Sequence, residues 1–338
     1  MSCAEFFFPF ADLAVYWWLP VTAILLDRCI GDPPRWPHPV RCIGTLLAVV
    51  EPRARRLPLP ERIAGIFAVL AVLFLTWACA RLLLLFPSVF ALLFAVYLAF
   101  AGLALGQLLR EGKAALALLE QNDVAAARTA IGMLVSRDVT RADHDTLCRT
   151  LAETLAENFN DAFIAPLFWL VIGGPVGLWL YKAASTMDSV WGYPHEPWTR
   201  FGTAAARLDD ALAFIPARLT AFFLYCNAMV GAKRNAWPEN GLEKPSWPGF
   251  ARVARDARTM KSPNAGWPMA VCAWIHHAAM GGRAVYAGKA VDKPVLGPPG
   301  TVWTTAKLRG LYQALAMTGW GAAALLWAGA LLFRLFAS

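Results

Sequence analysis

Apolar residues along the chain are gathered into long blocks. Residues 88–109, 162–181 and 311–333 carry no charged side chain, residues 63–86 carry only Arg81, and residues 211–232 carry only Arg218. A helix of about 20 residues crosses the hydrocarbon of a bilayer, so each block predicts a membrane-embedded helical segment. Residues 6–26, with Asp12 inside, make a sixth. The expected fold is all-α: a polytopic membrane protein with five to six apolar helical segments and helical cytoplasmic loops, forming a single integral-membrane domain over residues 1–338. Two blocks contain helix breakers. Gly173-Gly174-Pro175 interrupts one and Pro216 the other. Broken helices are tolerated at membrane depth when protein surrounds them or a cavity lies alongside, so at least one of these segments is expected to re-enter rather than cross.

The stretches between the blocks are polar. Residues 111–135 predict a helix broken near Asn122-Asp123, and residues 143–161 predict another that starts at Asp143 or Asp145. Residues 27–62, 182–210 and 233–310 read as long polar loops, with Pro and Gly throughout. The formal net charge is +8, and residues 27–62 alone hold seven Arg. Positive loops stay on the cytoplasmic side, and they also suit lipid headgroups and phosphates. Loops 27–62, 110–161, 182–210 and 233–300 are therefore all expected to face the cytoplasm. The 58% hydrophobic content is above the usual share for a soluble domain. Residues 1–26 lack the basic start and cleavage site of a signal peptide. The seven Cys show no metal spacing and read as buried thiols.

The chemistry concentrates where polar residues meet apolar blocks. In ENFNDAFIAPLFW (157–169), carboxylates and amides run straight into an apolar segment. Glu153, Glu157 and Asp161 follow one another at four-residue spacing, which aligns three carboxylates on one helical face. Like charges so placed destabilise a helix by a few tenths of a kcal/mol. A partner is expected: Arg149 one turn earlier, or Mg²⁺, which favours carboxylate oxygen. A solvated acidic face is the alternative. Similar clusters are Asp27, Asp32 and His38; Ser136-Arg137-Asp138; Lys182 and Asp188; and Arg207, Asp209 and Asp210. Arg218, inside an apolar block, either faces a carboxylate such as Asp209 or Asp210, or substrate, or snorkels to the interface. There is no phosphate loop, dinucleotide fingerprint or nucleophile elbow, and the adjacent His276-His277 cannot share a helical face.

Seven motifs in one order now stand together: LLDRCIGDPPRWPHPVR (25–41), SRDVT (136–140), AENFNDAFIAPLFW (156–169), GGPVGLWLYKAASTMDSVWGY (173–193), RFGTAAARLDDALAFIPARLTA (200–221), KSPNAGWP (261–268) and YAGKAVDKPVLG (286–297). In these the chain resembles the CobD/CbiB family of adenosylcobinamide-phosphate synthases. The resemblance implies an amide ligase of cobalamin biosynthesis. Such an enzyme joins the corrinoid adenosylcobyric acid to (R)-1-aminopropan-2-ol or its O-phosphate, using ATP and Mg²⁺. It implies catalytic roles for Glu157, Asp161, Lys182, Asp209 and Asp210, with Mg²⁺ on Glu157 and Asp161. Substrate binding falls to Asp32, His38, Arg137, Asn158, Asp188, Arg207, Arg218, Ser262, Asn264 and Trp267, with Trp267 offering an indole face to stack on corrin or adenine. The expected setting is a multi-pass inner-membrane protein with a cytoplasmic active face and bound lipid. It would take no nucleic acid and would stand in complex with other cobalamin-assembly enzymes. Met269 stands where family members carry Glu, and Ser185 and Ala162 also depart from the pattern. An AmpE-like, non-catalytic regulatory or accessory relative is therefore the second class.

Overall fold

A computed structural model describes residues 18–31, 36–193, 195–233, 249–286 and 288–337. Helices run in the order α1 (Leu19–Cys29), α2 (Pro39–Arg55), α3 (Glu61–Leu84), α4 (Ser88–Gly102), α5 (Leu105–Glu120), α6 (Val124–Gly132) and α7 (His144–Phe159). A π turn (Asn160–Ile164) leads into α8 (Ala165–Trp191), followed by α9 (Thr203–Lys233), α10 (Phe250–Ala257), α11 (Gly266–Ile275), β1 (Met280–Tyr286), β2 (Lys289–Leu296) and α12 (Thr305–Ala337). Four helical runs are long and apolar enough to cross a membrane: Glu61–Leu84, Val89–Glu120, His144–Trp191 and Thr203–Gly231. The expected all-α membrane architecture is present. The polar stretch 233–310 also holds an antiparallel β1–β2 hairpin, which hydrophobic periodicity had left as loop. The chain divides into two compact units: residues 1–106, 161–213 and 323–338, and residues 107–160 and 214–322.

In the first unit, α3 shows two unlike faces. Ala64, Ala68, Val72, Thr76 and Ala80 recur every fourth residue and are buried. Small side chains at that spacing let helices approach closely without the help of a hydrophobic effect. Ile66, Phe67, Leu70 and Phe74 are exposed, an apolar face suited to lipid. A Cβ added to Gly65 would lie 2.1 Å from the Phe201 carbonyl oxygen, so only glycine allows that approach. Arg55 ties the end of α2 to the residues that precede α9. It pairs with Glu51, donates to the Pro197 carbonyl and lies over the Phe201 ring.

The uncharged block 88–109 is two helices rather than one. Leu103 is extended, and α5 starts anew at Leu105. The freed amides find partners: Ala104 N–H donates to the Ala162 carbonyl, and Gly106 N–H to Asp27 Oδ2 at 2.7 Å. Asp27 is buried and thus has a structural task.

The Gly-Gly-Pro break in α8 is equally sharp. Gly174 has φ 60 and ψ −161, a region open almost only to glycine. A Cβ on Gly177 would sit 2.9 Å from the Trp169 carbonyl oxygen, and Ala165 shares a buried cluster with Tyr181 and Ala213. Residues on either side of Gly174 therefore run back beside one another. The arm from Ala165 to Gly173 is about 13 Å long at 1.5 Å per residue, less than half of a hydrocarbon core of about 30 Å. The segment folds back, as its breakers predicted.

Gly174→Ala is expected to destabilise the protein by about 1–3 kcal/mol through backbone strain. No atom lies within 4 Å of the added Cβ, so a clash would not be the cause. Gly173→Ala, also without a neighbour within 4 Å and without positive φ, is the control. Thermal unfolding in detergent should separate the two; equal melting would show that the fold-back does not depend on the Gly174 conformation.

Candidate functional site

The two units carry separate polar centres. In residues 107–160 and 214–322, the centre is Glu153. It is 1% exposed and forms an ion pair with Arg137. Its Oε1 accepts the Gly281 N–H at 2.7 Å and lies 3.9 Å from Arg149 Nε. One buried carboxylate thus ties α7 to the SRDVT loop and to β1. Burial alone would lower the Arg137 pKa, but the Glu153 carboxylate turns the balance and raises it, with Tyr286 and Glu157 adding. The hairpin is placed further by Arg149, which donates to the Arg283 carbonyl, and by Asp138 N–H, which donates to the Val285 carbonyl. Glu157 lies one turn after Glu153. The charges acting on it are those of Lys293, Arg137 and Glu153. A π turn begins at Asn160, just before Asp161. The three carboxylates have different neighbours: Glu153 is tied to Arg137 and Gly281, Lys293 and Arg137 act on Glu157, and Asp161 acts on Asp209.

That second centre lies within residues 161–213. Asp209 feels the charges of Asp161, Asp188 and Asp210, and the same region surrounds the buried Tyr181. Asp209 Oδ1 is buried without a hydrogen-bond partner. Arg207 is the cation that acts on Asp210. Asp188 lies so close to Gly192 that a Cβ there would meet its Oδ1 at 1.9 Å. Lys182, half-buried, follows Tyr181 directly in α8. Carboxylates gathered in this way call for a counter-ion or a shared proton. Among the described residues no set of three His, Cys, Asp or Glu side chains is placed to hold a metal. Mg²⁺ asks for less, since it commonly binds one or two carboxylates together with phosphates and water. The oxygen donors here, Asp209 Oδ1 above all, fit that requirement.

Arg218 finds neutral partners within its own unit. Its guanidinium donates to the Phe214 carbonyl at 2.6 Å, to Asn264 Oδ1 at 3.2 Å and toward the Pro263 carbonyl, and lies 4.8 Å from the Trp267 ring centroid. Ser262 Oγ accepts the Asn264 and Ala265 N–H groups and so starts α11. Trp267 is 6% exposed, packed on Phe250 and under Arg218, which corrects its expected role as an open stacking face. KSPNAGWP is thus a folded clamp on Arg218. His38 caps α2 by accepting the Val40 N–H and meets Trp179 edge-on, while Asn158 donates to Thr154 Oγ1. Asp32 lies outside the described residues. Sequence reasoning missed Lys293 and Arg283, both on the hairpin. The signal was present as alternating residues on either side of Gly288, a short hairpin-turn pattern.

A helical membrane protein with two acidic centres on broken helices is the class this geometry defines. The family model described as CobD/Cbib protein matches residues 20–315. A cobalamin biosynthesis protein CobD of Pelobacter propionicus is 38% identical over 286 residues, covering 82% of this chain and 84% of that protein. Proteins of the same name from Klebsiella pneumoniae and Listeria monocytogenes are 37% and 34% identical over 81% and 82% of the chain, and 85% and 86% of their own lengths. The chain belongs to the CobD/CbiB family of cobalamin biosynthesis. No solved structure matches it.

Glu153→Gln keeps the shape but leaves Arg137 without its counter-charge, and should cost about 3–5 kcal/mol. Arg137→Met combined with Glu153→Gln should cost less than the two single changes together. A double-mutant cycle from unfolding in detergent measures this; additive costs would show that the pair is not coupled.

Proposed function

We propose that the chain is an ATP-dependent amide ligase that joins adenosylcobyric acid to (R)-1-aminopropan-2-ol or its O-phosphate, with its active face in the cytoplasm. Family membership over residues 20–315 carries this reading. The carboxylate centre at Asp161, Asp188, Asp209 and Asp210 supports it. A carboxylate does not condense with an amine unaided at neutral pH. When bound, Mg·ATP supplies a phosphoryl group that turns the corrinoid propionate into a better electrophile. The propionate oxygen bonds to the terminal phosphorus and ADP departs. The amine then forms the amide bond, and phosphate leaves.

Each step asks something of this chain. Asp209 and Asp161 would hold the cation that neutralises the phosphates. Asp210, with Arg207 beside it, or Asp188 would take the proton lost by the attacking ammonium. Lys182 would place positive charge near the transferred phosphoryl group. Arg218 keeps the KSPNAGWP segment in place and acts on substrate through it.

Asp161→Asn and Asp209→Asn retain size and hydrogen bonding but remove charge. Each is expected to cut amide formation roughly 10²-fold or more. The assay supplies solubilised protein with adenosylcobyric acid, aminopropanol phosphate and Mg-ATP. Partial rescue of Asp161→Asn by high Mg²⁺ would mark a metal ligand, and absence of rescue a base. Near-normal rates in both variants would overturn these site assignments. A strain lacking its synthase that carries this gene and grows on cobinamide but still not on cobyric acid would overturn the ligase reading itself.

A further inference from the structure

Beside the Glu153 hub, the second unit holds an open cleft of about 630 Å³, lined by the 136–143 loop, the first turns of α7, and β1. That volume falls within the 300–1,000 Å³ range of small-molecule sites. Four guanidinium groups line it, from Arg137, Arg141, Arg149 and Arg283. Arg137 is neutralised by Glu153. Arg149 is held by the Arg283 carbonyl at 3.1 Å, and its Nη1 would lie 3.5 Å from a Cβ on Gly282. Arg141 and Arg283 are exposed. Two carboxylates stand at the rim and already serve as acceptors: Asp138 Oδ1 takes the Thr140 N–H and hydroxyl, and Asp143 Oδ1 takes the Thr146 N–H. An independent observation points to a ligand. Thr150, on the cleft wall, is 0% exposed, and its Oγ1 has no hydrogen-bond partner. A buried hydroxyl left without a partner is costly, and such groups generally mark a missing one.

We propose that this cleft is a phosphoryl-anion site, in which Arg141, Arg149 and Arg283 bind the oxygens of a phosphate ester and Thr150 Oγ1 donates to one of them. Planar guanidinium groups match phosphate oxygens in pairs, which lysine does not. The start of α7, capped by Asp143, adds the positive end of a helix dipole. The site deepens the ligase reading and rests on it. Two substrates of that reaction carry phosphoryl groups, ATP and the amino-alcohol phosphate, and both present the same chemistry to the cleft.

The test is equilibrium dialysis of the full chain in detergent with radiolabelled ATP and, separately, with labelled aminopropanol phosphate. Arg141→Ala, Arg283→Ala and Thr150→Val are compared with the unaltered protein, and thermal melting checks that each variant folds. Each arginine variant should weaken binding of at least one ligand roughly tenfold or more, with a smaller loss for Thr150→Val. The ligand that responds identifies the source of the phosphoryl group. Unchanged affinity for both ligands in folded arginine variants would overturn the site while leaving the ligase reading intact, as would binding of neither ligand by a protein that still forms amide. Weakened binding by a protein that forms no amide would keep the site and overturn the ligase reading.

Discussion

Inside a bilayer a backbone N–H released from its helix has no water to turn to, and each one left unmatched costs several kcal/mol. That constraint decides where this chain can interrupt its helices. The break between α4 and α5 exists because Asp27 Oδ2 waits 2.7 Å from Gly106 N and the Ala162 carbonyl takes the Ala104 N–H. Asp27 is 1% exposed, a position where a carboxylate persists only when hydrogen bonds hold it. Gly106 is as necessary as its partner, since a Cβ there would stand 2.2 Å from the Asp27 carbonyl oxygen. The pair works as a donor at a helix start and an acceptor buried to meet it.

Glu153 applies the same solution to a different joint. Its carboxylate receives a strand amide, from Gly281, and an arginine, from the SRDVT loop. A neutral side chain at that position would serve the amide but leave Arg137 unmatched. A carboxylate drawn inward in this way is withdrawn from chemistry. The acidic residues written in one row have different neighbours, cations for Glu157 and carboxylates for Asp161, and a π turn holds the second of these. π turns are rare and recur at functional sites, because their wider winding re-aims the side chains that follow.

The apolar blocks were legible because lipid demands length and uniform apolarity, and both are visible without tertiary information. The fold-back at Gly173-Gly174-Pro175 was legible for a related reason: the breakers advertise themselves. Partner choice was not legible. Arg218 is read from sequence as an intramembrane charge that faces a carboxylate or substrate or snorkels, and its partners are Asn264, two carbonyl oxygens and the Trp267 face. Nothing in a one-dimensional pattern tells a carbonyl oxygen from a carboxylate as an acceptor. Trp267 and Ser262 were read as ligand-facing for the same reason, although one is packed and the other holds the turn that precedes α11. The hairpin was missed because its strands are half-polar and interrupted, by Gly281-Gly282 in β1 and Pro294 in β2, so the period-two signal was weak beside the membrane blocks.

A formal charge of +8 counts all cations alike, and the structure sorts them. Arg55 bridges Glu51 and the Pro197 carbonyl, Arg137 answers Glu153, and Arg218 clamps the KSPNAGWP turn. These are multi-partner contacts that a planar five-donor group can make and a lysine cannot. The charges of Arg55 and Arg137 are matched locally by carboxylates and add little to the field at a distance, while Arg218 meets only neutral acceptors and a ring. Arg141 and Arg283 differ, being exposed on a loop and a strand that Glu153 and Arg149 hold in place. The field such residues project is the part of the net charge that reaches a diffusing anion. Basic residues that set topology and basic residues that recognise a substrate therefore look identical in composition; the anchoring of their backbones, together with their exposure, is what tells them apart.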